Sequence, residues 1–295
     1  MWTPQFACPE CRRDLSGVWC LPCGCKYECV DGIWRFLTVE RRAAVAPFLQ
    51  QYRHVRQQDG HRSASPDYYR ALPSVADDDP RASEWHIRRE TYANLLRHVF
   101  AAAPQSMRVL DLGAGSGWLS HRLAELGHRP VAVDVVDDEV DGLGAAKHYA
   151  ATFEAVQADF MALPFAPGQF DLVIFNAALH YAPEPAIALA HARSMLAAGG
   201  GLAVMDSPMF DADEAGRSMT AGVAEGFRCA YGVVTVVQPG VGYLTFAALA
   251  RVAAALQLDA HFIASRGSIG WRARRQIARI RLRRAPAAFG LWVAR

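Results

Sequence analysis

Residues 109–120, Val-Leu-Asp-Leu-Gly-Ala-Gly-Ser-Gly-Trp-Leu-Ser, constrain the fold more than any other stretch of this chain. An apolar run carrying Asp111 leads into a loop with glycine at every second position, Gly113, Gly115 and Gly117, and helix-compatible sequence begins at Trp118. That order predicts strand, tight turn, helix. Glycine is required where the backbone takes a positive φ or lies directly against a ligand, and three glycines in five residues ask for both at one place. The loop reads as a nucleotide cradle.

Asp111 narrows the nucleotide. A carboxylate just ahead of the glycines repels a pyrophosphate but suits a ligand bearing an ammonium and a sulfonium. The spacing is also G-x-G-x-G rather than the G-x-G-x-x-G of dinucleotide binders. In these residues the chain resembles motif I of the Rossmann-like (class I) S-adenosylmethionine-dependent methyltransferases. The resemblance implies an α/β fold, a seven-stranded Rossmann-like sheet with helices on both faces. It also implies S-adenosylmethionine as cofactor, held along Asp111, Gly113, Ala114, Gly115, Ser116, Gly117 and Trp118.

Downstream acids fall where such a sheet needs them. Pro130–Val135 is an apolar run holding Asp134, about twenty residues past the loop, where an acid accepts both ribose hydroxyls, with Val135 beside it. Ala155–Phe160 reads as a third strand ending in an acid and an aromatic. The resemblance gives Asp159 the adenine amino group and Phe160 the adenine face. Phe170–Asn176 reads as a buried central strand whose end, at Asn176, opens onto the cofactor.

The next residues, Ala177-Ala178-Leu179-His180-Tyr181, lack the Asn-Pro-Pro-Tyr signature of many amino-group methylating enzymes, and no Pro-Cys nucleophile for cytosine C5 occurs. His180 is the candidate general base, since imidazole titrates near neutrality; in related families the position mainly lines the cofactor pocket.

All cysteines but Cys229 lie within the first 29 residues. Cys8-Pro-Glu-Cys11 and Cys20-Leu-Pro-Cys23 form two C-x-x-C knuckles, the spacing that presents four thiolates to zinc. Cys25 is close enough to replace Cys23, and Cys29 is expected to pack inside. The alternatives are a degenerate ribbon without metal, a disulfide cluster or an iron–sulfur site, and for the last Gly32 stands where a radical-type third cysteine belongs. The continuation through Asp31-Gly-Ile-Trp-Arg-Phe-Leu37 resembles the zinc-ribbon family of methyltransferase activator subunits, which is also fused to some ribosomal RNA methyltransferases.

Three regions follow: a zinc ribbon over 1–40, a helical linker or lid over 41–106, and the S-adenosylmethionine-binding domain over 107–295. In the second, apolar positions at helical spacing around Val45, Phe48 and Tyr52 form one helix, and another begins after Ser83 as N-cap. Helices ahead of motif I close over the cofactor in many such enzymes, so Tyr52, Arg56, Tyr69 and Arg88 are lid and substrate candidates. Residues 207–243 interrupt the α/β rhythm after the fifth strand and read as a neutral, apolar substrate cap, with Cys229 as packing. Strands near 261–264 and 289–294 resemble the terminal antiparallel pair of the fold, joined by the basic segment 271–284.

The 295 residues, 52% of them hydrophobic, suffice for a full-sized core and a smaller module. No apolar run approaches the eighteen or so residues needed to span a bilayer, and no basic segment followed by an apolar stretch opens the chain. A cytoplasmic protein is expected. The net charge of +2 does not by itself call for nucleic acid. Lys26 and Lys147 are the only lysines among 31 basic residues, so arginine reflects a compositional bias more than a function.

The expected reaction is methyl transfer from S-adenosylmethionine to a small-molecule or carrier-bound acceptor, with structural zinc in the ribbon. The first alternative is RNA base methylation, motivated by the ribbon and the basic segment. The second is a non-catalytic S-adenosylmethionine-binding partner or sensor.

Overall fold

The structure is a computed structural model that describes residues 2–58, 65–101, 106–232, 235–237 and 239–295. Residues 233, 234 and 238 of the expected cap therefore lie outside the described residues.

The ribbon opens with β1 (Trp19–Cys20) and β2 (Cys25–Lys26), an antiparallel pair, followed by β3 (Cys29–Val30) and β4 (Ile33–Arg35). The β3–β4 hairpin turns at Asp31-Gly32, both with positive φ, the pairing a tight two-residue hairpin demands. Next come α1 (Val39–Gln58), α2 (Pro66–Ala71) and α3 (Ala82–Leu95). The parallel strands are β5 (Arg108–Leu112), β6 (Arg129–Asp134), β7 (Glu154–Gln157), β8 (Phe170–Asn176) and β9 (Leu196–Met205). Between them run α4 (Trp118–Glu125) and α5 (Pro185–Met195). The stretch read as a cap, 207–243, holds β10 (Met209–Phe210) and α6 (Asp213–Tyr231); just past it β11 (Leu244–Thr245) pairs with β10, and the chain ends with α7 (Phe246–Ala255), β12 (Ala260–Ala264), α8 (Ile269–Leu282) and β13 (Gly290–Ala294).

The central sheet has the order β12-β13-β9-β8-β5-β6-β7-β4-β3. Seven of its strands are those the resemblance implied, including the antiparallel β13 between β9 and β12. The other two come from the ribbon. β4 pairs in parallel with β7, Ile33 opposite Ala155 and Arg35 opposite Gln157, so the ribbon covers the sheet edge that β7 would otherwise expose. Phe6 bridges to Phe165, and the rings of Phe6, Trp34, Phe36 and Phe165 pack at centroid distances of 4.9–6.2 Å. Cys8, Cys20, Tyr27 and Phe36 belong to the same buried cluster as Leu110, Val131 and Phe175. Ribbon and sheet thus share one core.

The strand order reverses at β5, whose neighbours are β6 and β8. In an open parallel sheet the carboxyl ends at such a reversal leave a crevice for ligand. The glycine loop between β5 and α4 occupies that crevice.

α3 departs from its expected start. It begins at Ala82, and Ser83 lies inside its first turn, because Asp79 accepts hydrogen bonds from the Arg81 and Ala82 backbone amides and supplies the entry turn. Cys29, expected to pack inside, is exposed at the sheet edge, and Cys229 is exposed on α6. Among the described residues no helix is long and apolar enough to cross a membrane.

Candidate functional site

The floor of the site is backbone. Gly113, Gly115 and Gly117 have φ of 73°, 55° and 77°. A Cβ on Gly113 would lie 2.1 Å from the Ala178 Cβ, and one on Gly117 would lie 2.6 Å from the Phe153 ring. The amides of Gly113 and Ala114 donate to the Val133 carbonyl at 2.9 and 3.1 Å, tying the loop to β6. Asp134 completes the tie, its carboxylate accepting from the Gly115 amide at 2.7 Å and the Val136 amide at 2.8 Å. Burial raises the Asp134 carboxyl to about 6.

A cavity of ≈ 400 Å³ opens over this floor. Of the residues singled out for the cofactor, Gly113, Ala114, Gly115, Ser116, Trp118, Asp134, Val135, Asp159, Phe160 and Asn176 line it. Among the described residues the buried Asn176 Oδ1 has no hydrogen-bond partner. Gly117 does not line the cavity and serves as the left-handed N-cap of α4.

Asp111 does not line it either. It is fully buried beneath the loop, accepting from the Ser120 hydroxyl at 2.9 Å, and burial raises its carboxyl to about 7. Its side chain is held toward α4 by Ser120, so it sits under the loop and not among the residues that line the cavity.

Side chains make the roof. Tyr52, Arg56, Tyr69 and Arg88, the four lid candidates, all line the cavity. Sequence reasoning missed their companions Arg41, Phe48, Tyr68, Arg81, Glu84, Trp85 and Tyr181. Helical spacing was the signal available: Arg41, Phe48 and Tyr52 lie along α1, and Arg81, Glu84, Trp85 and Arg88 share one flank at the start of α3. Ion pairs bind α1 to the loop after β6, Arg53 reaching Asp138 at 3.3 Å and Arg56 reaching Asp141 at 2.8 Å. Arg35 pairs with Asp137 just ahead of the helix. Gln51 clasps α1 to the cap, donating to the Thr235 carbonyl and accepting from the Val237 amide, both at 2.7 Å. Trp85 meets Trp118 edge-on at 5.9 Å, and Arg88 lies 5.1 Å over the Trp85 ring.

His180 is displaced from the expected role. Its ring is buried, shares a hydrogen bond with the Ser207 hydroxyl at 3.1 Å, and does not line the cavity. Burial pushes its pKa down to about 3, which makes it a poor proton acceptor at neutral pH.

The Sγ atoms of Cys8, Cys11, Cys20 and Cys23 lie within 4.8 Å of one another. Four thiolates placed tetrahedrally at the usual zinc–sulfur distance stand about 3.8 Å apart, so the group needs only slight contraction around an ion. Cys23 is the fourth member. The Cys25 Sγ lies 3.5 Å from the Cys23 carbonyl and is not part of the group.

Residues 110–204 match the methyltransferase domain family. A malonyl-[acyl-carrier protein] O-methyltransferase of Erwinia pyrifoliae is 32% identical over 114 residues, 39% of this chain and 42% of that protein. A tRNA 5-carboxymethoxyuridine methyltransferase of Escherichia coli is 28% identical over 118 residues, 39% of this chain and 45% of that protein. The chain thus spans less than half the length of these curated relatives. Among solved structures, the magnesium protoporphyrin IX methyltransferase of Synechocystis with bound S-adenosylhomocysteine superposes with a TM-score of 0.50 at 15% identity, covering 82% of this chain and 98% of that one. That likeness is one of fold.

Proposed function

We propose that this chain, built around the methyltransferase domain of residues 110–204, binds S-adenosylmethionine and transfers its methyl group to a small-molecule or carrier-bound acceptor. One observation carries the reading: a single cavity joins the glycine loop, Asp134 and Asp159 to an aromatic and arginine chamber under α1 and α3. The loop and strand ends would hold the cofactor. Asp134 suits the ribose, Asp159 with Phe160 the adenine, and Asn176 the reacting end.

Methyl transfer is an in-line displacement at the sulfonium. The protein's part is to align the acceptor and exclude water. α1, α3 and the cap do both in this reading. His180, buried against Ser207, supports the cavity wall from behind. Zinc at Cys8, Cys11, Cys20 and Cys23 would stabilise the ribbon, and no reaction step depends on it.

RNA base methylation is the second reading. It is favoured by the tRNA-modifying relative and by α8, which carries exposed Arg272, Arg279 and Arg281. The preference for a small or carrier-bound acceptor rests on the enclosure of the cavity by α1 and the cap. The deciding experiment incubates the purified chain with methyl-labelled S-adenosylmethionine and a host extract separated into RNA, protein, lipid and small metabolites. Label in the metabolite or carrier-protein fraction is expected. Label in RNA overturns the preference, and slow conversion to S-adenosylhomocysteine with every fraction favours the non-catalytic sensor.

A further inference from the structure

Arg41 stands six residues past the last ribbon strand, and its position is set by the ribbon. β4 lies against β7, the Phe36 amide continues that pairing by donating to the Gln157 carbonyl at 2.9 Å, and the Thr38 hydroxyl accepts from the Arg41 amide at 3.3 Å in the first turn of α1. The backbone at Arg41 is thereby registered against the end of β7, two residues from Asp159. Its side chain enters the cavity there. One terminal nitrogen pairs with Asp159 Oδ2, while the Nε, shielded from solvent, has no partner among the described residues.

The partner carboxylate is itself fixed. Asp159 Oδ1 accepts from the Met161 amide at 2.8 Å, and its side chain is 13% exposed. Each carboxylate oxygen keeps a lone pair in reserve. Asp159 therefore offers an acceptor to the cavity next to the ring of Phe160, and the Arg41 Nε beside it is a donor that a ligand nitrogen reaches once the guanidinium turns toward the cavity. Adenine carries the complement, an exocyclic amino donor flanked by ring-nitrogen acceptors at N7 and N1. A 6-oxopurine reverses the amino position and protonates N1, so it meets this pair with the wrong pattern.

We propose that Arg41 and Asp159 together read the cofactor's adenine, Asp159 accepting from the amino group and Arg41 donating through Nε to the adjacent ring nitrogen. The segment leaving the ribbon then contributes directly to base specificity. The proposal rests on the S-adenosylmethionine reading above. Buried donors without partners are rare in folded proteins and point to a missing ligand group. The other role open to Arg41 is that of a counter-ion holding Asp159 in the empty cavity, which the ligand must displace; the two roles predict opposite signs.

The test is calorimetric titration of the full chain, unmutated and as Arg41→Ala and Arg41→Lys, with S-adenosylhomocysteine, S-inosylhomocysteine and the 1-deaza and 7-deaza analogues of S-adenosylhomocysteine. Circular dichroism checks that each variant is folded. Arg41→Ala is expected to weaken S-adenosylhomocysteine by about ten- to a hundredfold, the worth of a hydrogen bond to a charged group, and to shrink the discrimination against the inosyl analogue. Arg41→Lys is expected to recover only part of the loss, because an ammonium lacks the planar fork. One deaza analogue should bind the unmutated chain more weakly yet show no further loss on Arg41→Ala. Unchanged or tighter binding by Arg41→Ala, or equal losses for adenine and inosine ligands, overturns the proposal alone. Absence of S-adenosylhomocysteine binding by the unmutated chain overturns the cofactor reading and this proposal with it.

Discussion

The floor and the roof of the cavity are built from different materials. The floor is main chain: left-handed glycines and amides tied to the Val133 carbonyl, with the carboxylate of Asp134 at the end of β6 accepting from the Gly115 amide. The roof is side chain: arginines of α1 paired with Asp138 and Asp141, two Gln51 hydrogen bonds to the cap, and rings on α3. Strand ends in a parallel sheet do not relax, so the floor is a fixed template. Partly exposed ion pairs contribute roughly 0–1 kcal/mol each, so the roof is held by many weak ties. A ligand buried under such a roof enters and leaves by breaking a few of them at a time, while the floor keeps its geometry.

Replacing a floor glycine breaks the comparison most severely. In Gly113→Val the new Cβ meets Ala178 at 2.1 Å in a backbone conformation that β-branched residues avoid. S-adenosylhomocysteine affinity is expected to fall by at least a hundredfold, about 3 kcal/mol, by calorimetry. Gly115→Val shares the positive φ, but the nearest atom to its Cβ is the Asp141 carbonyl at 3.5 Å, so its loss should be smaller. Equal losses at the two positions would mean that backbone strain, not steric closure, governs the loop.

The roof can be loosened from its anchor. Because the ribbon shares the sheet's core and leads directly into α1, Cys20→Ser should lower the thermal midpoint of the whole chain by about 5–10 °C, an effect of roughly 2–3 kcal/mol. Strong chelator should reproduce the shift in the unmutated chain and add nothing in the variant. A ribbon that unfolds in a separate transition, leaving the main one in place, would contradict the shared core.

Acid tests the floor without mutation. Burial raises the Asp134 carboxyl to about 6, and ribose hydroxyls donate best to its ionised form. Affinity should therefore drop about tenfold between pH 7 and pH 5 as the carboxylate is protonated. Stability runs the other way. A carboxyl whose folded pKa lies above its unfolded value near 3.8 favours the fold when protonated, and that contribution is lost as pH rises through about 6. Asp111, raised to about 7 beneath the loop, titrates in the same window, and Asp111→Asn separates its share. Affinity that stays flat from pH 7 to pH 5 in both proteins would remove Asp134 from the site.

The two surfaces were also unequally legible in the sequence. Glycines at alternate positions announce positive φ wherever they fold; Asp134 ends β6 as read, and Asp159, read as the end of a strand over 155–160, lies two residues past β7, which stops at Gln157, yet still lines the cavity. Hence the loop, Asp134, Asp159 and the four clustered cysteines were all readable. The β4–β7 pairing was not, since it depends on which edge of a distant sheet is left open. Arg41 was missed for the same reason: its partner lies 118 residues away and is set by that pairing. His180 shows the limit for side chains. The sequence places the ring after a strand, but Ser207, 27 residues on, decides which way it points.

The smallest expected effect belongs to a single tie in the roof. Arg56 spans from α1 to Asp141, with side chains 25% and 6% exposed, and stacks 5.4 Å over the Tyr52 ring. Arg56→Ala removes one weak tie of several, leaving Arg53, Gln51 and the aromatic contacts in place. S-adenosylhomocysteine affinity should fall about three- to fivefold, below 1 kcal/mol, with the dissociation rate in stopped-flow fluorescence rising by the same factor. Raising ionic strength should change the affinity of the unmutated chain far less than the substitution does, because a pair this buried is screened little. A loss as large as that of Gly113→Val would make Arg56 part of the template instead of the closure.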